Sequence, residues 1–365
     1  MKIENCKTVR LGDVCEIAAG QGAPQGESNY CDDGTPFVKA GNLIELINGK
    51  DEFEIQKVSE EVANSHKLKK YSAGSILFAK SGMSCIKGYV YQLKNDSYVV
   101  SHLAIVKPKE DSSDYIEYCL RHIKPNTLVK DEAYPSISLQ DISNLQIPLP
   151  PLEEQKHIAA VLDKCTEVIA KHKLMLEKYD TLVKSQFVEM FGDIIQNTKN
   201  WDTREWNEVL NIVNGKNQKA VECKDGKYAI CGSGGEIGRA SDFLVTENSV
   251  IIGRKGNINK PILMREKFWN VDTAFGLVPF TDKVNVEFLF YFCYFFDFER
   301  LNKAVTIPSL TKIDLLKIKI PVPPLALQQK FASFVQAVDA QKAKAQKSLD
   351  KAETLYKALM QEYFG

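Results

Sequence analysis

Two forty-residue stretches of the chain carry apolar side chains at alternating spacings of four and three residues. They span 152–191 and 325–364, contain no Gly or Pro, and each follows a Pro-Pro step. An average spacing of 3.5 residues is the period of a coiled-coil seam, and Pro-Pro favours extended backbone directly before a helix start. The pattern predicts two long helices that end near Gly192 and Gly365, since glycine commonly terminates helices.

The predicted seam of the first helix consists of Ile158, Leu162, Ile169, Leu176, Tyr179 and Val183. That of the second consists of Phe331, Val335, Val338, Leu349, Tyr356 and Leu359. We interpret the polar residues that interrupt the seam, His172, Gln186 and Lys342, as groups that set the register or lie at its border. At ~1.5 Å per residue each helix is ~60 Å long, so an antiparallel pair would hold attached domains a fixed distance apart.

The chain repeats itself. Residues 135–192 align without a gap onto residues 308–365, 173 positions later, with Pro135 matching Pro308, and Leu176 matching Leu349. One unit was therefore duplicated, which predicts a pseudo-two-fold repeat. Such symmetry suits a two-fold partner, for example duplex DNA or a pair of identical subunits.

A mixed region precedes each repeated segment, at roughly 9–134 and 200–307, with short β-like runs separated by Gly, Asn and Ser. The two regions differ in sequence, but their strand-like runs and turn residues follow in the same order: SILFAKSG at 75–82 parallels SVIIGRKG at 249–256. The aromatic run at 288–296 is too short to cross a bilayer and predicts a buried helix. The fold class is predicted as α+β, with two mixed α/β domains joined by two long antiparallel coiled-coil helices.

The repeated motifs resemble a known family. PSI at 135–137 leads to IPLPPLEEQ at 147–155, and PSL at 308–310 leads to IPVPPLALQ at 320–328. This pattern is similar to the specificity subunit of type I restriction-modification systems, as are FVKAGNL at 37–43 and GKYAICGSGGEIG at 226–238. The second copy departs from the pattern by lacking the two glutamates, which we expect to weaken an ion pair at its helix start.

The resemblance implies a non-catalytic subunit that recognises a split, asymmetric DNA sequence. Residues 1–150 and 193–323 would be its two target-recognition domains, and residues 151–192 and 324–365 the conserved spacer helices. It also implies partners: double-stranded DNA, two methyltransferase subunits that use S-adenosylmethionine, and restriction/translocase subunits that use ATP and Mg. The chain itself is expected to bind no cofactor and no metal.

Composition changes this picture little. The 47 basic and 47 acidic residues cancel, so any attraction for DNA must be local rather than global. The nine cysteines form no CxxC pair, which argues against a disulfide framework and a zinc site. The first residues lack the apolar core of a signal peptide, and no run is long enough to span a membrane, so a cytoplasmic location is expected.

No active-site motif stands out. The Pro-Pro steps read LPPL and VPPL, without the Asp or Asn that an adenine methyltransferase places before them, and there is no Walker A sequence. The five histidines show neither metal-ligand nor nucleophile-base spacing. Two alternatives stay open at this point: a freestanding DNA-acting enzyme with an unrecognised site, and a coiled-coil scaffold without DNA contact.

Candidate DNA-binding residues follow the predicted strands, where guanidinium, ammonium and amide groups can meet phosphates and base edges. Those of the first domain are Gln21, Gln25, Lys39, Asn42, Lys80, Ser81 and Gly82. Those of the second are Lys216, Asn217, Ser233, Gly234, Arg254, Lys255, Gly256, Asn257, Asn259 and Lys260. The alternative interpretation of these segments is ordinary solvated turns.

Overall fold

The chain forms two compact units. A computed structural model describes residues 6–304 and 306–365. Unit 1 comprises Met1–Lys171 with Leu349–Gly365, and unit 2 comprises His172–Ser348. Each unit therefore combines one α/β domain with a part of each long helix. Unit 1 takes its part of the second long helix from the far end of the sequence, whereas unit 2 is one continuous stretch.

Unit 1 begins with ten strands and five short helices. They are β1 (Lys7–Arg10), α1 (Leu11–Val14), β2 (Cys15–Ala19), β3 (Thr35–Val38), α2 (Leu43–Ile47), β4 (Lys57–Val58), α3 (Glu60–Ser65), β5 (Lys70–Tyr71), β6 (Ile76–Ala79), β7 (Val90–Gln92), β8 (Ser97–Val99), β9 (Leu103–Pro108), α4 (Ser113–Ile123), α5 (Leu139–Ser143) and β10 (Gln146–Leu149). The long helix α6 (Leu152–Phe191) starts in unit 1 and ends in unit 2.

Unit 2 continues with a shorter series. It contains β11 (Thr203–Glu205), α7 (Trp206–Val209), β12 (Leu210–Asn214), β13 (Tyr228–Gly232), β14 (Gly235–Ala240), β15 (Ser249–Gly253), β16 (Ile262–Met264), β17 (Phe268–Asn270), β18 (Ala274–Pro279), α8 (Val286–Phe295), α9 (Lys312–Leu316) and β19 (Lys319–Pro321). The second long helix, α10 (Leu325–Phe364), starts in unit 2 and ends in unit 1. Short 3₁₀ turns lie at Glu27–Asn29, Ala40–Asn42, Glu52–Glu54, Met83–Lys87, Pro125–Leu128 and Phe298–Leu301.

The two units share a sheet plan. In unit 1 an antiparallel sheet has the order β2-β9-β6-β7, and a second sheet, β4-β3-β8-β5, pairs β3 with β8 in parallel. In unit 2 the antiparallel sheet is β12-β18-β15-β16, and the second sheet, β14-β13-β17, pairs β13 with β17 in parallel. The α+β class predicted from the sequence is confirmed, and so is the repeat.

The long helices begin and end where the 3.5-residue pattern predicted. Gly192 follows α6 with φ of 76°, a left-handed conformation that glycine adopts without steric cost. Within unit 2 the helices run antiparallel: Phe187 packs on Phe331 at 5.3 Å between ring centroids, while Asp180, about two turns earlier, accepts a 2.6 Å bond from Lys342. The seam interruption at Lys342 is thus an interhelical ion pair.

The predicted seam residues all lie at buried or half-buried positions. Ile158 and Leu162 pack in the core of unit 1 with Met360 of α10, again an antiparallel arrangement. Val183, Phe331 and Val335 belong to the core of unit 2. The predicted aromatic helix is also confirmed as α8, whose Phe288 and Phe292 are almost fully buried. Across the described residues, no helix is both long and apolar enough to cross a membrane.

The glutamine that ends the PPLxxQ motif has a structural role in each repeat. Gln155, 1% exposed, accepts a hydrogen bond from the Ser112 N–H and donates to the Pro150 carbonyl. The amide thereby joins the start of α6 to the N-cap of α4. The two glutamates that the second copy lacks are not part of this clip; Glu153 pairs with the exposed Lys156.

Gln328 repeats the clip in unit 2. It is fully buried, accepts from the Asn285 N–H at 2.8 Å, and donates to the carbonyls of Pro323 and Lys283. Asn285 is the N-cap of α8, so the clip joins the start of α10 to the aromatic helix. The motif is therefore a structural one in both copies.

We predict that Gln328→Leu lowers the free energy of unfolding of unit 2 by about 2 kcal/mol or more, because buried polar partners are left unpaired. All three tryptophans, Trp201, Trp206 and Trp269, lie in unit 2, so their fluorescence during urea denaturation reports this unit. The exposed Gln336→Leu on the same helix is the matched control and should leave the midpoint unchanged. Equal midpoints for both variants would contradict the clip.

Candidate functional site

In unit 1 several strand ends meet at one border of the sheets, which we call edge 1: residues 20–22, 80–82, 100–102 and 135–137. The Gln21 N–H donates to the Val99 carbonyl at 2.8 Å, and the Lys80 N–H donates to the His102 carbonyl at 2.9 Å. These bonds tie the segments after β2 and β6 to the segment between β8 and β9. Edge 1 is therefore a hydrogen-bonded frame rather than a set of independent loops.

Unit 2 has the same frame, edge 2: residues 215–217, 232–234, 254–257, 271–273 and 308–310. The Lys216 N–H donates to the Asn270 carbonyl at 2.9 Å, and the Arg254 N–H donates to the Thr273 carbonyl at 2.8 Å. Arg254 thus occupies the backbone position of Lys80. Two sequences that differ in their side chains build one backbone arrangement.

The repeated PSI segment completes edge 1. The Gly82 N–H donates to the Pro135 carbonyl at 3.0 Å, and the Ile137 N–H donates to the Lys80 carbonyl at 2.8 Å. Ser81 and Ser136 therefore face each other as an antiparallel bridge. The repeated segment at 135–137 thus bonds the turn at residues 80–82, which we call the basic turn of unit 1; its counterpart in unit 2 is residues 254–257.

The PSL segment does the same at edge 2. The Gly256 N–H donates to the Pro308 carbonyl at 3.1 Å, and the Leu310 N–H donates to the Arg254 carbonyl at 2.9 Å. Lys255 and Ser309 form the matching bridge. The link between repeated segment and basic turn is thus the same in both units.

Charged pairs close the loop that enters each conserved segment. Lys130 bonds Asp141 at 3.1 Å in unit 1, and Lys303 bonds Asp314 at 2.9 Å in unit 2. Hydrogen bonds from Ser138 and then from Lys130 lower the pKa of Asp141, while Lys303 and then Thr311 lower that of Asp314. Both carboxylates are ionised at neutral pH. Each residue of the first pair lies 173 positions before its counterpart in the second, the same offset as the sequence repeat.

Edge 2 collects most of the second-domain candidates. A side-chain carbon built on Gly256 would lie 3.8 Å from Ser233 Oγ, and one on Gly234 would lie 3.8 Å from Asn257 Nδ2. The glycine-rich loop after β13 and the basic turn after β15 are therefore neighbours. The Lys216 carbonyl accepts a 3.0 Å bond from the indole of Trp269 in β17, the strand that pairs with β13.

Arg254 is the half-buried cation of this group. Its guanidinium lies 5.8 Å from the ring centroid of Phe275, whereas Lys255, Gly256 and Asn257 are exposed. A guanidinium supported by an aromatic ring keeps its donors in a restricted orientation. Edge 2 consequently presents one half-buried cation beside a ring, Arg254, and two exposed cations, Lys216 and Lys255.

Several predicted candidates have their side chains engaged within the protein. Gln21 donates to the Lys67 carbonyl at 2.7 Å and accepts from the Lys69 N–H, so both ends of its amide are used. Asn259 accepts from the Phe298 N–H at 2.7 Å and donates to Asp297 at 3.0 Å. Both residues hold loops at this point rather than presenting free polar groups.

Lys39 and Asn42 follow β3 and bond to one another and to neighbours. The Asn42 side chain accepts from the Lys39 N–H at 2.9 Å, and Lys39 Nζ contacts Gln56 at 2.6 Å above the ring of Tyr30. Asn217 likewise accepts from the Lys219 N–H at 2.9 Å. These contacts position the Lys39 ammonium and occupy the amide oxygens of Asn42 and Asn217.

Gln25 and Lys260 are exposed and make no contact with the edges that the structure describes; Gln25 bonds the nearby Ala23 carbonyl. The sequence interpretation also missed residues that the fold brings to the edges. Lys67 and Lys69 reach edge 1 through Gln21. Their only sequence signal was charge in a polar loop, which many solvated loops share.

The cysteines behave as buried structural thiols where the structure encloses them. Burial, with a contribution from Glu236, raises the pKa of Cys231 to about 11, and burial raises that of Cys15 to about 12. Both thiols are protonated at neutral pH. Among residues 6–304 and 306–365, no three His, Cys, Asp or Glu side chains converge as a metal-binding group.

Two copies of one α/β unit, each with the same repeated segment bonded to a turn that carries a cation, define a protein with an internal repeat. The family model of the type I restriction modification DNA specificity domain matches residues 3–178 and 198–353. The chain belongs to this family of type I restriction-modification specificity proteins, and it contains two copies of the family's domain.

Individual relatives agree with the family match. The chain is 27% identical over 278 residues to the putative type I restriction enzyme MjaX specificity subunit of Methanocaldococcus jannaschii, covering 65% of this chain and 64% of that protein. It is 22% identical over 400 residues to the MjaVIII specificity subunit of the same organism, covering 92% and 86%. The first match thus spans slightly less than two thirds of its relative.

Solved structures show the same fold. The S subunit of a type I restriction-modification system from M. genitalium superposes with a TM-score of 0.68 at 16% identity, covering 100% of this chain and 98% of that one. A chain from a structural study of complex assembly and conformational transition of the type I R-M system superposes with a TM-score of 0.61 at 17% identity, with the same coverage.

We predict that Gly256→Ala lowers the free energy of unfolding of unit 2 by about 1–2 kcal/mol, because Gly256 has φ of 79°. Urea denaturation followed by tryptophan fluorescence measures this. Gly234→Ala is the control in the neighbouring loop, where the nearest atom to an added carbon is 3.8 Å away and φ is not positive. A Gly256 variant as stable as the control would contradict the turn geometry.

Proposed function

We propose that this chain is the DNA-specificity subunit of a type I restriction-modification complex, with each unit reading one half of a split, asymmetric target. In this role it is not the catalyst. It supplies sequence recognition to methyltransferase subunits, which use S-adenosylmethionine, and to restriction/translocase subunits, which use ATP and Mg.

The observation that carries the proposal is the matched pair of basic turns. Lys80 and Arg254 have the same backbone partners, yet the side chains around them differ. A constant backbone frame with variable side chains suits a ligand that has a constant part and a variable part. DNA is such a ligand, because its phosphate backbone is the same everywhere while its bases differ.

Local charge supports DNA as that ligand although the net charge of the chain is zero. Edge 2 presents Lys216, Arg254 and Lys255 around the glycine-rich loop. Arginine donates two parallel hydrogen bonds to guanine edges, whereas a lysine on a flexible stem suits phosphate. We assign base recognition to Arg254, the oriented cation, and phosphate contact to Lys255, the exposed one.

The exposed face of the long helices supports docking of two equivalent partners. Leu182 is 44% exposed and its repeat counterpart Leu355 is 52% exposed, although leucine usually lies inside. Equivalent apolar residues on two copies of one helix would dock two copies of one subunit. We propose that the methyltransferase subunits bind there.

We predict that Arg254→Ala, in the assembled complex, changes base preference in one half-site, while Lys255→Ala weakens binding to all duplexes equally and reduces the salt slope by about one ion. Binding isotherms across salt concentrations, with point-substituted half-sites, separate the two effects. Lys319→Ala in β19 removes one positive charge outside edge 2 and is the control. Unchanged affinity, base preference and methylation pattern in both variants would remove these residues from the interface.

We predict that Leu182→Glu and Leu355→Glu each reduce retention of a methyltransferase subunit, because a charge replaces an exposed apolar contact. Co-purification with quantitative mass spectrometry gives the subunit ratio, expected to fall from two per chain toward one. Ser333→Glu on α10 introduces the same charge at an exposed polar position and should keep two. Full retention by both leucine variants would place the docking surface elsewhere.

Mapping methylated adenines in the source genome tests the function as a whole. The expected result is a split motif with a constant gap that disappears when the gene for this chain is deleted. Methylation or cleavage by the purified chain alone would instead identify an enzyme. An assembled complex without salt-dependent duplex binding would identify a scaffold.

A further inference from the structure

Directly before the last segment of each edge lies a large apolar side chain that is exposed rather than packed in the core. Tyr134 is 83% exposed and Ile307 is 61% exposed. Single exposed apolar residues need no explanation, but these two occupy the same place in the repeat, directly before the proline of PSI and PSL. Both copies therefore place a bulky apolar group in water at one position.

The loops that carry these residues are held at both ends. In unit 1 the Lys130–Asp141 pair closes the loop, and the Gly82 N–H bonds the carbonyl of Pro135, next to Tyr134. These bonds restrict the backbone on both sides of Tyr134, whose side chain is exposed.

Unit 2 anchors Ile307 by the same means. The Lys303–Asp314 pair closes its loop, and the Gly256 N–H bonds the carbonyl of Pro308. The nearest exposed cation on the bonded turn is Lys255. In each unit the turn that bonds the proline beside the apolar residue thus carries a cation, the exposed Lys255 in unit 2 and the half-buried Lys80 in unit 1.

We propose that Tyr134 and Ile307 are wedges that enter the base stack of duplex DNA beside each half-site. This inference rests on the proposed function and adds a role for two residues. A duplex combines an anionic backbone with apolar stacked faces within a few ångströms, which is the combination that a cation beside an apolar tip complements. Apolar side chains inserted between base steps unstack and bend duplexes in other proteins.

The wedge changes how specificity arises. Unstacking costs less at flexible pyrimidine–purine steps than elsewhere, so each unit would prefer such a step next to the bases it contacts directly. Aromatic Tyr134 can also stack on an exposed base face, whereas Ile307 can only fill the gap. The two half-sites would therefore differ in their tolerance of the neighbouring step.

The test uses the complex assembled with its methyltransferase subunits and a duplex carrying the mapped motif, with 2-aminopurine at steps flanking each half-site. The fluorescence of 2-aminopurine rises when its base unstacks. We expect the rise with the unaltered complex, and its loss at one half-site in Tyr134→Ala and at the other in Ile307→Ala. Affinity should fall between about five-fold and about 100-fold.

Conservative and positional controls separate a wedge from a general surface contact. Tyr134→Phe and Ile307→Leu should keep the fluorescence change. Ile47→Ala and Phe280→Ala remove apolar side chains that are 38% exposed near the opposite ends of the sheets, and should bind like the unaltered complex. A mismatch at the flanking step, which removes the cost of unstacking, should restore most of the affinity of the alanine variants.

Alanine variants that bind and unstack the duplex like their controls overturn the inference while leaving the proposed function intact. Variants that bind DNA normally but lose a methyltransferase subunit also overturn it, since the tips would then dock protein. If the unaltered complex binds the duplex with the mapped motif no more tightly than a duplex of random sequence, both the inference and the proposed function fail.

Discussion

The need to pair every sheltered backbone group at the ends of the sheets underlies the structure of both units. Strands β6 and β15 end in short turns whose peptide groups would be left without partners. The conserved segments supply those partners, through Ile137 to Lys80 in unit 1 and Leu310 to Arg254 in unit 2. Further along the chain, the repeated sequence contains the buried Gln155 and Gln328, which accept hydrogen bonds from the N-cap residues of α4 and α8.

This arrangement separates constant from variable chemistry. Backbone groups make the bonds between the conserved segment and the basic turn, so side chains on the turn can change without loss of the frame. Positive φ at Gly82 and Gly256 keeps both turns in one conformation. Side-chain substitutions on these turns therefore carry little risk to the fold.

The long helices and the repeat were predictable because they depend on periodicity and on local backbone chemistry. A 3.5-residue pattern, Pro-Pro before and glycine after determine where a helix begins and ends, and the structure agrees at both copies. The role of Gln21 was not predictable. Its amide is consumed by Lys67 and Lys69, almost fifty residues away, and only the folded chain brings them together.

The candidate interface divides in the same way. The sequence by itself determined the class of fold, the paired helices, the family, and the neighbourhood of Arg254 and Lys80, since each of these follows from short-range pattern or direct repetition. Tertiary structure alone decided that the glycine-rich loop meets the turn at Gly256, and that Tyr134 and Ile307 are exposed next to the prolines that bond the two turns. The reason is physical: periodicity encodes which face of an element is buried, whereas the meeting of distant strand ends depends on the register of whole sheets.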